Sequence, residues 1–353
     1  MVRVVGTDPG TSSLDLLLLE NGAVVDQARL TPGSLRTDPQ ELVKTLERFG
    51  PVDLIAGPSG YGLPLIAAAD LTENDLDQMS LVRPDQRGRN EGVIGFRSWV
   101  RALVDSGQPV IFLPGGIHLA TVPKHRKVNA IDMGTADKVA VAALAAFFDS
   151  QVRGASVGDC TFAVVELGSV FSAILVVEKG RLVDAAAGSR GPLGMGSGGC
   201  WDGEVAYWFS PLFKEDLFRG GLRDLGTEGP SAFRESLLKH VTGLNAVTPF
   251  NRIYLSGASA SDPVIARIAE EALSKLADVV PLPSLPGAWV KHAAQGAALL
   301  ADGLAGGRHS NLVDSFQLRN AAGTVWDGLS RFSRSEATLP PGVKPGASAA
   351  PSN

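Results

Sequence analysis

The chain has 353 residues, 44% hydrophobic and 20% charged, enough for two domains with substantial cores. A formal net charge of -5 disfavours nucleic acid as the main partner, because phosphate backbones call for basic surface. The two cysteines, Cys160 and Cys200, make no disulfide framework or metal spacing, and no apolar run approaches the ~20 residues of a membrane span, so a reducing cytoplasm is the expected setting.

Residues 2–7 (VRVVGT) read as a buried strand entered at once, without the shape of a signal peptide. A DPGTSS turn, a strand over 14–20, an Asn21-Gly22 hairpin turn and a strand over 23–30 complete a three-stranded meander. A helix is expected over 39–49 with Asp38 as its cap, then a buried strand over 52–57 running into the loop PSGYG. Helical patterns around 70–80 and 92–107 precede a strand over 109–115, and 135–149 is an Ala-rich helix. The opening pattern then returns. Strands are predicted over 160–167, 170–178 and 181–188, joined by turns at Gly168-Ser169 and Lys179-Gly180. Helices over 203–219 and 231–242, a strand over 252–257, a helix over 262–277, a strand over 278–283 and a small-residue helix over 289–306 follow.

Two copies of one strand-turn-strand-turn-strand unit, each leading into helices and further strands, imply two similar α/β domains facing a shared cleft. The expected division is 1–134, a connecting helix over 135–149, a second domain over 150–306, and a segment 307–333 returning to the first domain. Residues 334–353, rich in Pro, Ala, Ser and Gly, read as a disordered tail.

The first turn places Asp8 at the end of a buried strand, with Gly10, Thr11 and Ser12 offering backbone N–H groups and hydroxyls to phosphate oxygens. Asp8 is also a candidate to hold Mg²⁺ through its waters. The second meander carries the counterpart, with Glu166, Gly168 and Ser169. An ordinary hairpin explains either turn alone, but two at the same place in repeated units form a clamp for a polyphosphate.

These turns resemble the phosphate-1 and phosphate-2 motifs of the actin-like ATPase, heat-shock chaperone and sugar-kinase superfamily. IYLSGASASDPVIARI, with Gly257 and Ala258, resembles its adenosine motif, and the helices at 135–149 and 289–306 look like its connecting helices. The resemblance implies two RNase H-like (actin-like ATPase) domains with an inter-domain nucleotide cleft, binding ATP and Mg²⁺. GPSGYGLP, HLATVPKHRKVNAIDMGTADK and GPLGMGSGGCWDGE look more closely like a prokaryotic family labelled predicted butyrate kinases. That likeness implies phosphoryl transfer to a short-chain carboxylate. The second motif usually carries Asp where this chain has Glu166, which leaves Asp132 as an alternative metal-holding acid.

The run PKHRKVN places Arg126 just before the first connecting helix, where it is the candidate cation for a transferring phosphoryl group or a substrate carboxylate. A solvated basic turn is the competing reading. Lys138, one turn into the helix, is a second candidate, with surface pairing as its alternative. Residues 194–199 satisfy G-x-G-x-x-G without the βαβ context of a dinucleotide site, so they are expected as a flexible loop closing over the cleft. Asp202 follows as a helix cap or as a base for a hydroxyl acceptor, which a carboxylate acceptor would not need. A small-molecule substrate and a homodimer are expected. The competing functions are an ATPase driving a conformational change in a partner, and a nucleotide-binding sensor without turnover.

Overall fold

The computed structural model describes residues 1–10, 13–31, 40–83 and 96–332. The first half contains β1 (Arg3–Pro9), β2 (Leu14–Glu20), β3 (Ala23–Leu30), α1 (Glu41–Phe49), β4 (Leu54–Pro58), β5 (Ile66–Ala67), α2 (Glu73–Ser80), α3 (Phe96–Asp105) and β6 (Val110–Leu113). The helix α4 (Ala136–Arg153) leads to β7 (Phe162–Leu167), β8 (Ser172–Glu178), β9 (Arg181–Ala187), α5 (Gly203–Trp208), α6 (Gly229–Val247), β10 (Arg252–Ser256), α7 (Pro263–Leu273) and β11 (Asp278–Pro281). Helices α8 (His292–Leu304) and α9 (Ser310–Ser315) follow.

The sheets run β3-β2-β1-β4-β6-β5 and β11-β10-β7-β8-β9. In each, a hairpin meander is extended by parallel strands on the far side of its first strand. This is the two-domain α/β, RNase H-like fold expected from the repeat. The hairpin turns match in detail: Asn21-Gly22 and Lys179-Gly180 all have positive φ, as two-residue turns of the right twist require. Each β2/β3-type pair also has one extra residue in its third strand, Val25 in one half and Val183 in the other.

Side-chain alternation divides the strands between two cores. Val4, Leu17 and Leu19 enter a central core with α4 and α8, whereas Val5, Leu16 and Leu18 meet α1 and α3 on the outer face. In the second half Val164 and Leu175 join the central core, and Val165 and Ile174 pack with α6 and α7. The central layer depends on close backbone approach. A Cβ on Gly6 would stand 2.1 Å from Ala298 N, and one on Gly296 1.9 Å from Ala140 O. Glycine at these two positions lets α8 lie against β1 and cross α4.

Several elements depart from expectation. The helix predicted over 203–219 stops at Trp208, and Pro211 precedes a separate 3₁₀ turn over Lys214–Phe218, because proline lacks the N–H a continuing helix needs. Helix α6 runs further than anticipated, to Val247, and α2 starts at Glu73, where Thr72 supplies a capping box. Asp38, proposed as a cap, lies outside the described residues. The Gly-rich run is no open flap: Gly194, Met195 and Ser197 are buried, and Gly196 N donates to Val170 O at 3.0 Å. The segment after α8 touches both halves, through Ser315 Oγ to Gly180 O and Ala322 N to His118 O. No described helix is long and apolar enough to cross a membrane.

Candidate active site

The turns closing the two meanders have the same construction. Gly10 N donates to Ser13 O at 2.8 Å, and Gly168 N donates to Phe171 O at 3.0 Å, so each hairpin is closed over four residues. Asp8 pairs across its hairpin with Asp15, and Glu166 with Ala173, which puts both acids two residues before their turn glycine. Gly10, Gly168, Ser169, Gly257 and Ala258 line one cavity of about 700 Å³ between the halves. Thr11 and Ser12 lie outside the described residues. Gly257, at φ 98°, could not carry a side chain, since a Cβ would stand 2.4 Å from Leu167 O. Ser259 Oγ donates to Gly168 O at 2.9 Å and so ties the turn after β10 to the turn after β7.

Each strand carboxylate meets a lysine from the helix that crosses over from the other half. Lys291, the N-cap residue of α8, places Nζ 3.6 Å from Asp8 and donates to Ser13 O at 3.0 Å. Its backbone N–H donates to the buried Asp15, which also holds Arg29 at 2.7 Å and Ser13 Oγ at 2.6 Å. Lys138, in the first turn of α4, lies 2.7 Å from Asp137 and 3.1 Å from Glu166 Oε2. Thr135 Oγ1 donates to the other Asp137 oxygen. Glu166 Oε2 is buried without a hydrogen bond of good geometry.

The electrostatics follow from this burial. Desolvation pushes Asp8 up to about 6, with Lys291 opposing, and raises Glu166 against the pull of Lys138. For Lys138 burial works against the charge, but Asp137 and Glu166 prevail and hold its ammonium well above the usual range. Burial also favours the protonated form of Asp137, yet Lys138 and Thr135 keep it below the ordinary carboxylate range. Asp132 lines the same cavity and is pushed up to about 6 by burial, while Gly134 N donates to it at 3.0 Å. His292 lies between Ser256 and Ser284, and burial lowers it to about 4, so it is neutral at pH 7.

Two of the sequence-based candidates stand elsewhere. Arg126 does not line the cavity; it donates to Val183 O at 3.0 Å and lies 3.4 Å from Asp184, on the third strand of the second meander. The bulge at Val183 frees a carbonyl that this guanidinium takes. Asp202 is likewise off the cavity, and its side chain accepts from Glu204 N as the cap of α5. Sequence reasoning missed Lys291, Asp137, Tyr61 and Lys214, all of which line the cavity.

The donor set fits Mg²⁺ with bound phosphates. Asp8 and Glu166 face one cavity, and the partner of Glu166 Oε2 there is the Lys138 ammonium, 3.1 Å away. Mg²⁺ is held by one or two carboxylates with waters and phosphate oxygens, so the absence of a three-ligand cluster among the described residues is consistent with that donor set.

A family model described as "Protein of unknown function (DUF1464)" matches residues 6–330. No curated protein matches. Among solved structures, a propionate kinase from Francisella tularensis superposes with a TM-score of 0.56 at 12% identity, covering 84% of this chain and 99% of that one. Acetate kinase from Entamoeba histolytica gives 0.52 at 10% identity over 78% of this chain and 87% of its own. Porphyromonas gingivalis acetate kinase gives 0.51 at 12% over 78% and 88%. These likenesses are of fold, and they match the α/β architecture built on two sheets.

Proposed function

The chain belongs to the DUF1464 family, and from that premise we propose that it is an ATP-dependent phosphotransferase with a short-chain carboxylate as acceptor. One observation carries the reading: two matching glycine turns, each with a strand carboxylate and a crossing-helix lysine, face a single cavity. The Lys138 and Lys291 ammonium groups suit phosphate oxygens, and the turn at Gly257 suits the nucleoside. The fold shared with proteins described as acetate and propionate kinases supports a carboxylate acceptor.

In this reaction an acceptor carboxylate oxygen attacks the γ-phosphorus while the bridging bond to the β-phosphate breaks. Its electron pair leaves on ADP, and an acyl phosphate forms. No proton has to be removed, which agrees with the placement of Asp202 as a cap. Catalysis of such a transfer is mostly positioning and charge neutralisation. Mg²⁺, when bound, would neutralise phosphate charge; Asp8 and Glu166 are the groups to hold it. The lysines are kept in place by carboxylates of their own, Lys138 by Asp137 and Lys291 through Asp15.

ADP release from Mg-ATP, measured over a panel of carboxylates and polyols, tests the proposal. Acceptor-dependent release with C2–C6 carboxylates, together with a hydroxamate after hydroxylamine trapping, is the expected result. Acceptor-independent hydrolysis, or release only with polyols, would overturn it.

A further inference from the structure

Lys214 opens the 3₁₀ turn that follows Pro211, in the second half of the molecule. Its Nζ donates to Tyr61 Oη at 3.1 Å and lies 4.3 Å from the centre of the Tyr61 ring. Tyr61 belongs to the loop after β4 in the first half, where its backbone N–H donates to Met79 O at 3.1 Å. This contact therefore spans the cleft. An ammonium has three donors, and the phenol oxygen takes one. Among the described residues Lys214 has no carboxylate within 4.0 Å, and Asp132 acts on it only from further away.

Apolar side chains line the same cavity. Phe218, on the same 3₁₀ turn, stacks edge-on with Phe171 at 4.9 Å, and Met79 and Phe96 line the cavity beside Tyr61. A half-buried ammonium with a neutral partner is costly, and desolvation lowers its pKa to about 8. An anion delivered by a ligand would supply the missing partner.

We propose that Lys214 and Tyr61 form the subsite that grips the acceptor's carboxylate, with Phe171, Phe218 and Met79 receiving a short aliphatic tail. This rests on the phosphotransferase reading for its meaning as an acceptor site, but not for its existence as an anion site. Asp132, the charged group that acts on Lys214, is an anion and would repel a second carboxylate, so monocarboxylates are favoured over dicarboxylates.

Binding of butyrate, succinate and 1-butanol to the full chain, by calorimetry without nucleotide, is compared with steady-state kinetics for the wild type, Lys214→Met, Lys214→Arg and Tyr61→Phe. Losing a charge-assisted contact corresponds to a loss in butyrate affinity of about 10- to 100-fold for Lys214→Met, with partial recovery in Lys214→Arg. In turnover, KM for butyrate rises by the same factor while KM for ATP changes less than about twofold. Butyrate should bind the wild type more tightly than succinate does, and 1-butanol binding should not depend on Lys214. If butyrate binds in a Lys214-dependent way but is never phosphorylated, the subsite stands and the phosphotransferase reading falls. If butyrate is phosphorylated with the same KM in a folded Lys214→Met, the reading stands and the subsite falls. No butyrate binding to the wild type overturns the subsite as well, and Tyr61→Phe supplies the same comparison should Lys214→Met fail to fold.

Discussion

In the first half of the molecule the strand carboxylate is Asp8 and its cation, Lys291, arrives on α8 after the second sheet has been built. In the second half Glu166 meets Lys138 from α4, the helix that leaves the first sheet. The arrangement is a two-fold exchange: each sheet provides an acid, and each crossing helix carries a lysine to the other half's acid. The halves differ in how the helix is seated. α8 lies directly against β1 because Gly6 has no side chain, whereas the position of Gly6 in the second meander is taken by Val164, buried in the central core. The lysine supports differ too. Lys291 is fixed from within the first hairpin by Asp15, whose cross-strand counterpart in the second hairpin is Ala173; Lys138 is held by its own neighbour Asp137. The same clamp can thus be assembled from a close-packed helix on one side and a more loosely seated helix on the other.

The strongest break of this comparison is steric. Gly6→Val would place Cβ 2.1 Å from the backbone of α8, where no side chain can move aside, and the cost is upwards of about 4 kcal/mol. Thermal unfolding should show a collapse of stability or no folded protein. Val164→Gly, the reciprocal change, should cost about 2–4 kcal/mol through the cavity it leaves, without such a clash. Equal effects of the two changes would show that the helices are seated alike.

The strands and turns were legible because local pattern dictates them. Period-2 apolar runs, Asn21-Gly22 and Lys179-Gly180 mark both meanders, and the repetition exposed Gly10 and Gly168 as partners. What stayed hidden depends on contacts far apart in sequence. Lys291 and Asp8 are separated by nearly the whole chain, and Lys214 and Tyr61 by 153 residues, so no spacing rule brings them together. Residue type also misled. Arg126 has the charge of a phosphate ligand but satisfies a bulge carbonyl, and the glycines at 194–199 permit close packing, since a Cβ on Gly194 would stand 2.2 Å from Val170 O. Glycine richness marks an absence of side chain, and here that absence serves burial.

The second prediction tests whether the two acids are equivalent. Asp8→Asn and Glu166→Gln keep shape and remove charge. If both hold Mg²⁺ and phosphates, each should lower kcat/KM for Mg-ATP by about 10²- to 10³-fold, read by ADP release and by loss of the Mg-ATP thermal shift. A loss confined to Asp8 would make the first half alone the metal-binding side.

A smaller effect concerns His292, for which the second meander has no counterpart at α4. Its folded pKa, about 4, lies below the unfolded 6.5, so unfolding takes up a proton in that interval. The stability of the neutral form is present above pH 6.5 and lost as pH falls towards 4. Between pH 7 and pH 4 the wild type should lose ~3 kcal/mol more than His292→Gln, measured by denaturant unfolding at each pH. Parallel curves for the two proteins would remove His292 from the account of acid sensitivity.

The smallest effect separates two arginines that pair with matching aspartates. Each third strand has an aspartate directly after its bulge, Asp26 and Asp184, each accepting from the next backbone N–H. Arg48 pairs with Asp26 at 2.6 Å, but its side chain is 53% exposed and its other contact is with the Phe49 ring. Arg126 is 17% exposed and adds the Val183 carbonyl and Thr248 Oγ1 to its Asp184 contact. Exposed pairs contribute little because water competes, so Arg48→Ala should cost no more than about 0.5 kcal/mol. Arg126→Ala strips a half-buried carbonyl and a carboxylate of their donor, and should cost about 1–2 kcal/mol. Because neither guanidinium lines the cavity, kcat and the acceptor KM should stay within about twofold of wild type in both variants. A hundredfold fall in kcat for Arg126→Ala alone would mean that the basic turn leaves its contact with the second meander and enters the cleft during turnover.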